Sequence, residues 1–259
     1  MIKIELRNRK NQKIIGVLEK PEGDIIGTSI LEHGWGGSKE RPTMQALKRG
    51  FLDSGFQTFN FDATNSFNES DGDFEKSTMQ LHYEDFEDVA KWTQKQEWFI
   101  GPMALGGHSK GGYAVVRYAE EYSNEVNYVI SIAPVVSGKL SFEAHERKEP
   151  GGIERWKKEE VIEEVSKNGQ TKRKHWFQME ERLAHDLLPK ADKLIMPILL
   201  IVGSEDTSCP PDHTKILYDK IASNKKEIKI IDGALHSFQT QDEVEICKTI
   251  VRDWLKSLK

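Results

Sequence analysis

The chain has 259 residues, and 37 Lys and Arg against 42 Asp and Glu give a formal net charge of −5. A chain this long can bury a core without disulfides or a structural metal. Two cysteines cannot form a disulfide framework, so a reducing compartment, the cytoplasm, is the expected location. The mildly acidic balance lacks the basic footprint of nucleic-acid binding. No signal-peptide pattern opens the chain, and the longest apolar stretch, 194–202, is too short to cross a bilayer.

Strand-like and helix-like segments alternate along the chain. The predicted strands cover residues 1–7, 13–19, 24–33, 56–61, 103–107, 126–133, 195–202 and 228–231. The predicted helices cover residues 43–54, 80–96, 112–122 and 241–258. This alternation predicts an α/β fold with a doubly wound, mostly parallel sheet, formed by a single domain over 1–259.

The stretch 137–190 interrupts this alternation between two late strands. It is rich in Lys, Arg and Glu, and Asn168-Gly169, a favoured hairpin-turn dipeptide, lies between 161–165 and 175–177. We expect an inserted cap of one or two helices and a hairpin, placed over the strand ends where ligands bind. The alternative is a long surface excursion with no role in binding.

The segment Gly107-His108-Ser109-Lys110-Gly111 matches the pattern G-x-S-x-G. It follows a short apolar strand and opens a helix, which is the context in which this pattern presents a nucleophilic serine on a strained turn. Small residues are needed at both ends because larger side chains would collide with neighbouring backbone. Ser109 is therefore the candidate nucleophile.

A serine hydroxyl needs a base that is itself oriented by an acid. Asp206 follows the strand 195–202, and His236 follows the strand 228–231. Both lie beyond carboxyl ends of predicted parallel strands, as Ser109 does, so we expect the three side chains to meet. The rival acids lie in the same part of the chain: Asp212, Asp232 and Asp242.

A tetrahedral intermediate needs two donors for its oxyanion. The backbone N–H of Lys110, directly after the candidate nucleophile, is one. We assign the other to Trp35, in the glycine-rich segment His33-Gly-Trp-Gly-Gly37 that follows an early strand. We expect His33 to hold this loop in place.

These motifs resemble those of the α/β-hydrolase superfamily of serine hydrolases over nearly the whole chain: HGxxG at 33–37, GHSxG at 107–111, GxxDxxxP at 203–210 and GxxH at 233–236. Within it the chain is most similar to small carboxylesterases related to the cinnamoyl (feruloyl) esterases, through 59–62, 70–75 and the insertion. Those relatives usually carry a compact Gly-His-Gly segment after the position of Asp62. Here a longer segment, 63–69, replaces it.

Other residues have less specific patterns. The expected substrate pocket comprises His108, Trp156, Trp176 and Phe177. Alternatively, His108 packs beneath the turn that carries Ser109 (the nucleophile elbow), and the three aromatic residues only fix the cap to the core. The remaining histidines lack metal-ligand spacing, and the glycine-rich runs lack the features of nucleotide-binding loops. We expect neither a metal nor a cofactor.

Together the motifs predict a serine carboxylesterase acting on small-molecule esters with small or aromatic acyl groups. A feruloyl esterase is the specific alternative, and a small serine peptidase or amidase uses the same triad. Outside the enzymes, a non-catalytic ligand-binding protein with the same fold is the alternative.

Overall fold

The computed structural model describes residues 1–165 and 171–258. Its strands are β1 (Ile2–Arg7), β2 (Lys13–Glu19), β3 (Gly27–Glu32), β4 (Phe56–Asp62), β5 (Met103–His108), β6 (Tyr128–Ile132), β7 (Val161–Val165), β8 (Thr171–His175), β9 (Ile198–Gly203) and β10 (Lys226–Ile231). Its helices are α1 (Pro42–Leu52), α2 (Met79–Thr93), α3 (Lys110–Glu121), α4 (Gly138–Lys148), α5 (Gly152–Glu159), α6 (Trp176–Arg182), α7 (Pro211–Lys220) and α8 (Gln241–Ser257). Short 3-10 turns cover Phe74–Lys76 and Leu188–Lys193.

Within the described residues, eight strands form one sheet in the order β1-β2-β4-β3-β5-β6-β9-β10. The β1–β2 and β2–β4 pairs are antiparallel, and all later neighbours are parallel. The carboxyl ends of β3, β5, β6, β9 and β10 therefore share one edge of the sheet. In open α/β sheets this is the edge at which ligands bind.

Two adjacent glycines of β5 show that helices cover both faces of the sheet. A Cβ placed on Gly106 would contact Leu47 and Phe51 of α1, whereas one on Gly107 would contact Gly111 in α3. Successive strand residues point to opposite faces, so α1 and α3 lie on opposite sides. α8 packs with α1, and α2 packs with α3. The predicted doubly wound α/β architecture is confirmed.

The segment between β6 and β9 contains three helices, α4 to α6, and the antiparallel pair β7–β8. It has a small core of its own, in which Ile153, Trp156 and Met179 are buried. The prediction of a strand over 175–177 is wrong. The strand ends at His175, where a capping box with Gln178 starts α6.

Further differences are small. α7 was not among the predicted helices, and α3 begins two residues earlier than expected. The predicted turn at Asn168-Gly169 lies outside the described residues. No helix in residues 1–165 or 171–258 is long and apolar enough to cross a membrane.

A buried ion pair joins the loop after β3 to the end of β4. The Lys39 ammonium lies 2.6 Å from an Asp62 carboxylate oxygen, and the other oxygen accepts the Lys39 backbone N–H at 2.8 Å. Both side chains are almost fully buried. Burial alone would lower the pKa of Lys39, but its hydrogen bonds to Asp62 and Glu69 outweigh this and raise it. Lys39 is therefore a charged anchor for this loop.

Asp85, buried in α2, joins that helix to two loops. One oxygen accepts both the backbone N–H and the hydroxyl of Thr64 at 2.7 Å, and the other accepts the Asn8 side-chain amide at 2.8 Å. Burial raises the pKa of Asp85 to about 6, although these hydrogen bonds oppose the rise. The native protein thus holds a proton here at pH values where an unfolded chain releases it.

We expect Lys39→Met to lower the free energy of unfolding by about 3–5 kcal/mol, because the buried Asp62 carboxylate loses its cation and keeps only the backbone N–H of residue 39. The matched control is Lys229→Met, which removes an exposed pair with Glu227 and should cost less than about 1 kcal/mol. Urea unfolding measures both variants. Equal costs for the two would contradict the role given to Lys39.

Asp85 should make stability depend on pH in an identifiable window. Its native pKa of about 6 exceeds the ordinary value of about 3.9, so its contribution is full below about pH 4 and is lost as pH rises towards 6. The slope is at most about 1.4 kcal/mol per pH unit. Urea melts of wild type and Asp85→Asn should show the wild-type advantage shrinking across this window. A constant difference would refute the assignment, and Asp192→Asn, at an exposed site, controls for loss of one charge.

Candidate active site

Ser109 sits on a strained turn between β5 and α3. Its φ of 57° and ψ of −114° lie in a region that non-glycine residues rarely adopt. Its N–H donates to the Ile132 carbonyl at 2.9 Å, which ties the turn to β6. A Cβ on Gly107 would lie 2.3 Å from the Gly111 carbonyl oxygen, and one on Gly111 would lie 2.2 Å from the Glu32 carbonyl oxygen. The two glycines of the motif are therefore required by the close packing of α3 on β5 and β3.

Ser109, His236 and Asp206 form one hydrogen-bonded chain. The Ser109 Oγ is 3.0 Å from Nε2 of His236, and Nδ1 of His236 is 2.7 Å from Oδ2 of Asp206. The other Asp206 oxygen accepts the backbone N–H groups of Ser208 and Cys209 at 2.8 and 2.9 Å. The three predicted catalytic side chains thus meet at the carboxyl edge of the sheet.

The electrostatics of Asp206 support this arrangement. Burial alone would raise the pKa of Asp206, but the hydrogen bond from His236 and the two backbone donors outweigh it and lower the pKa. An ionised Asp206 accepts from Nδ1–H, which leaves Nε2 free to accept from the serine hydroxyl. Of the rival acids, Asp212 pairs with Arg147 at 3.1 Å, and Asp232 and Asp242 are exposed.

His108 supports the loop that carries His236. Its Nε2 donates to the His236 carbonyl oxygen at 2.8 Å, and the two rings lie 4.9 Å apart. Burial, followed by the charge of His236, lowers the pKa of His108 to about 3. His108 is therefore a neutral donor, and it joins the strand before the elbow to the last loop of the site.

The backbone of the glycine-rich loop lies directly against Ser109. A Cβ on Gly34 would come within 2.8 Å of the Ser109 Cβ. Among the described residues, the N–H groups of Trp35 and Lys110 donate to no protein acceptor. Two unpaired donors beside a serine are what an oxyanion hole requires.

His33 holds this loop, as expected. Its Nδ1 lies 2.7 Å from the Gly34 carbonyl oxygen, and its Nε2 accepts the Ala63 N–H at 3.1 Å. Burial lowers the pKa of His33, although its bond to Gly34 opposes the change. The Nε2 acceptor role identifies the neutral form with its proton on Nδ1.

The expected pocket residues of the insertion lie in different environments. Trp156 is buried, and its indole N–H donates to the Lys174 carbonyl at 3.0 Å. Trp176 packs edge-on against Trp156 with centroids 5.7 Å apart. Phe177 is 43% exposed. Their contribution to substrate binding stays a prediction.

Two other aromatic residues, Phe67 and Phe74, lie beside the glycine-rich loop 33–37, called the oxyanion loop below. The Trp35 ring contacts Phe74 at 4.6 Å between centroids, and Phe67 stacks on Phe74 at 4.0 Å. The sequence suggests Trp35 as a pocket wall, but sequence reasoning missed Phe67 and Phe74. The one available signal was that Phe67 lies in the lengthened segment 63–69 and Phe74 in the family-like segment 70–75.

Three lysines also surround Trp35. The ammonium groups of Lys110, Lys172 and Lys174 lie 6.0, 5.4 and 5.2 Å from its ring centroid. Lys172 also contacts the Gly36 carbonyl oxygen at 3.4 Å, so β8 reaches the oxyanion loop. In the part of the chain that is described, no group of three or more His, Cys, Asp or Glu side chains could hold a metal ion.

Solved structures share this architecture at low identity. Est1E from Butyrivibrio proteoclasticus, solved with bound ferulic acid, has a TM-score of 0.81 at 18% identity, with 98% of each chain covered. Mouse alpha/beta hydrolase domain-containing protein 10 has a TM-score of 0.78 at 18% identity, with 100% of each chain covered. These similarities show the fold alone.

Sequence comparison identifies the family. An Escherichia coli protein of 31.7 kDa from the traX–finO intergenic region is 26% identical over 247 residues, covering 83% of this chain and 85% of that protein. The family model described as serine aminopeptidase, S33, matches residues 27–243, which include the elbow, the oxyanion loop, Asp206 and His236. The chain therefore belongs to the serine aminopeptidase S33 family of α/β hydrolases.

Proposed function

We propose that this protein is a serine carboxylesterase that hydrolyses small-molecule esters through an acyl-serine intermediate. The observation that carries the proposal is the hydrogen-bonded chain from Ser109 through His236 to Asp206. Such a chain gives a serine hydroxyl a general base and keeps that base in the required tautomer.

Each half-reaction uses the same groups. Ser109 attacks the ester carbonyl while His236 takes its proton, and His236 then returns the proton to the leaving alcohol. Asp206 stabilises the imidazolium, and the N–H groups of Trp35 and Lys110 bind the oxyanion. Water activated by His236 then releases the acid from Ser109. Protein groups and water supply every step.

Aminopeptidase activity is the second candidate, because the family is described by it. An aminopeptidase must bind the protonated amine at the end of a peptide, which calls for carboxylates near the scissile bond. Three lysine ammonium groups surround Trp35 instead. Lysine side chains offer a protonated amine no anionic partner, which supports the choice of an ester.

An aromatic acyl group fits the row of rings formed by Trp35, Phe74 and Phe67. Aromatic rings stack or pack edge-on at such distances. Est1E, with the same fold, was solved with ferulic acid bound. A feruloyl or cinnamoyl ester is therefore the specific form of the proposal.

We also propose that residues 137–190 act as a cap over the site. His175 and Arg173 of β8 contact Glu75 at 2.6 and 3.4 Å, and Lys172 contacts Gly36. The Glu181 carboxylate of α6 accepts the Met79 N–H at the start of α2. These contacts attach the insertion to the glycine-rich loop beside Ser109 and to the segment that leads into α2.

A fluorophosphonate probe tests the nucleophile. We expect wild type to be labelled and Ser109→Ala not to be, because Ser109 is the serine whose hydroxyl is hydrogen-bonded to His236 among the described residues. The matched control is Ser208→Ala, which should be labelled like wild type. Ser208 donates its backbone N–H to Asp206, and the substitution keeps this group. Labelling of Ser109→Ala at the wild-type rate would refute the assignment, and an unlabelled wild type would favour a non-catalytic binding protein.

Asp206→Asn should lower kcat by roughly 10³–10⁴-fold, because the amide no longer favours the required His236 tautomer. Rates on a p-nitrophenyl ester give kcat, and an unchanged urea midpoint would show that the variant is folded. A loss below about tenfold in a folded variant would count against the triad.

A substrate panel separates the candidate functions. We expect p-nitrophenyl esters of short acyl chains and methyl ferulate to be hydrolysed faster than p-nitrophenyl palmitate or the amide L-leucine p-nitroanilide. Faster cleavage of the amide would instead support the aminopeptidase, and a preference for palmitate would contradict the small or aromatic acyl group.

A further inference from the structure

Positive charge is concentrated beside the proposed oxyanion hole. The side chain that meets this charge is Trp35, whose ring lies within 6.0 Å of three ammonium groups. Lys110 follows the nucleophile, whereas Lys172 and Lys174 come from β8. Two separate parts of the chain thus direct cations to one place.

The alternation of β8 is the reason that the two lysines reach this place together. Strand residues two apart share a face, so Lys172 and Lys174 point to Trp35. Arg173 and His175 point the other way and contact Glu75. One face of β8 attaches the strand to Glu75, and the other places two lysine side chains beside Trp35.

These cations have few anionic partners. Lys110 is only 2% exposed, and its ammonium contacts the Ser77 carbonyl oxygen at 3.3 Å. Within residues 1–165 and 171–258, no carboxylate lies within 4.0 Å of the ammonium groups of Lys110 or Lys172, whereas Lys174 pairs with Glu164. Burying an ammonium without an anion is costly.

The guanidinium of Arg182 is a further positive charge that acts on Lys110. Its Nη1 donates to the Ser141 hydroxyl at 2.9 Å, and its buried Nε has no partner among the described residues. Burial and then the charge of Arg182 lower the pKa of Lys110 well below its usual range. Burial likewise lowers the pKa of Lys172 and Lys174, so a bound anion would favour the protonated form of all three lysines.

The nearby acids do not neutralise the cluster. Glu181 accepts the backbone N–H groups of Met79 and Gln80 and contacts His185. Burial raises the pKa of Glu32 well above its usual range, which favours the neutral acid. Glu164 forms an ion pair with Lys174, and its charge also raises the pKa of Lys172 in opposition to burial. One indole ring offers each cation only about 0.5–2 kcal/mol.

We propose that the substrate carries an anionic group, such as a carboxylate, that binds between Trp35 and the ammonium groups of Lys110, Lys172 and Lys174. An anion there would give Lys110 and Lys172 the carboxylate partner that they lack among the described residues. The inference rests on the proposed esterase function and adds the charge of the substrate to it.

Matched esters test the charge preference. On the acyl side, the mono-4-nitrophenyl ester of adipic acid is compared with its methyl ester, which lacks only the free carboxylate. On the alcohol side, 4-acetoxybenzoate is compared with its methyl ester. We expect kcat/KM at least about tenfold higher for the charged member of one pair, and that pair identifies the side. No preference in either pair, or a preference for neutral esters, overturns the proposal.

Variants assign the preference to β8. Lys172→Met/Lys174→Met should reduce the charged-to-neutral ratio of kcat/KM at least about tenfold. The control Lys220→Met/Lys256→Met removes the same charge from exposed positions at the ends of α7 and α8 and should keep the wild-type ratio. An equal ratio in the two double variants overturns the role of the lysines.

A binding measurement separates this proposal from the esterase function. Calorimetric titration of Ser109→Ala with monomethyl adipate and with dimethyl adipate needs no catalysis, and we expect the monoester, which carries a free carboxylate, to bind at least about tenfold more tightly than the neutral diester. Equal binding overturns the anion site even if wild type hydrolyses esters. Selective binding of monomethyl adipate by a protein that hydrolyses no ester supports the anion site and refutes the esterase.

Discussion

The close approach of α3 to β5 and β3 is the constraint on which the rest of the site depends. Gly107 and Gly111 allow backbone to meet backbone where any Cβ would collide, and the turn between them places Ser109 at a positive φ. The same turn leaves the Lys110 N–H without a protein acceptor among the described residues. One packing contact thus presents a hydroxyl and a donor in the same place, and the strain of the turn, of the order of 1–3 kcal/mol, is held by the surrounding parallel strands.

Neutral, buried histidines position the loops around this turn. His33 uses both ring nitrogens to fix the oxyanion loop against Ala63, and His108 holds the carbonyl of His236. Burial lowers the pKa of both rings, so their hydrogen bonds persist as the solution becomes acidic. Uncharged histidines therefore hold the loops of the site next to Ser109, and the buried Lys39–Asp62 pair anchors the loop after β3 a few residues further along the chain.

The fold and the triad could be predicted from the sequence because their causes are local. Glycine spacing around Ser109, and the position of Asp206 and His236 just beyond apolar strands, are read directly from adjacent residues. The row of Trp35, Phe74 and Phe67 and the lysines of β8 could not be found in this way, because they meet through contacts between segments that are distant in the chain. The aromatic run 175–177 is likewise strand-like in sequence, yet α6 begins at Trp176. There the Gln178 side-chain oxygen accepts the His175 N–H at 3.1 Å.

Alternate residues of β8 make different contacts: one face holds the strand in place, and the other faces the proposed site. Odd positions, Arg173 and His175, hold the strand to Glu75, and even positions, Lys172 and Lys174, face Trp35. Changes at even positions can therefore alter the charge that a substrate meets while the anchor stays in place. Exchange of these two lysines for apolar or acidic residues would change the charge beside Trp35 while the contacts of Arg173 and His175 with Glu75 remain.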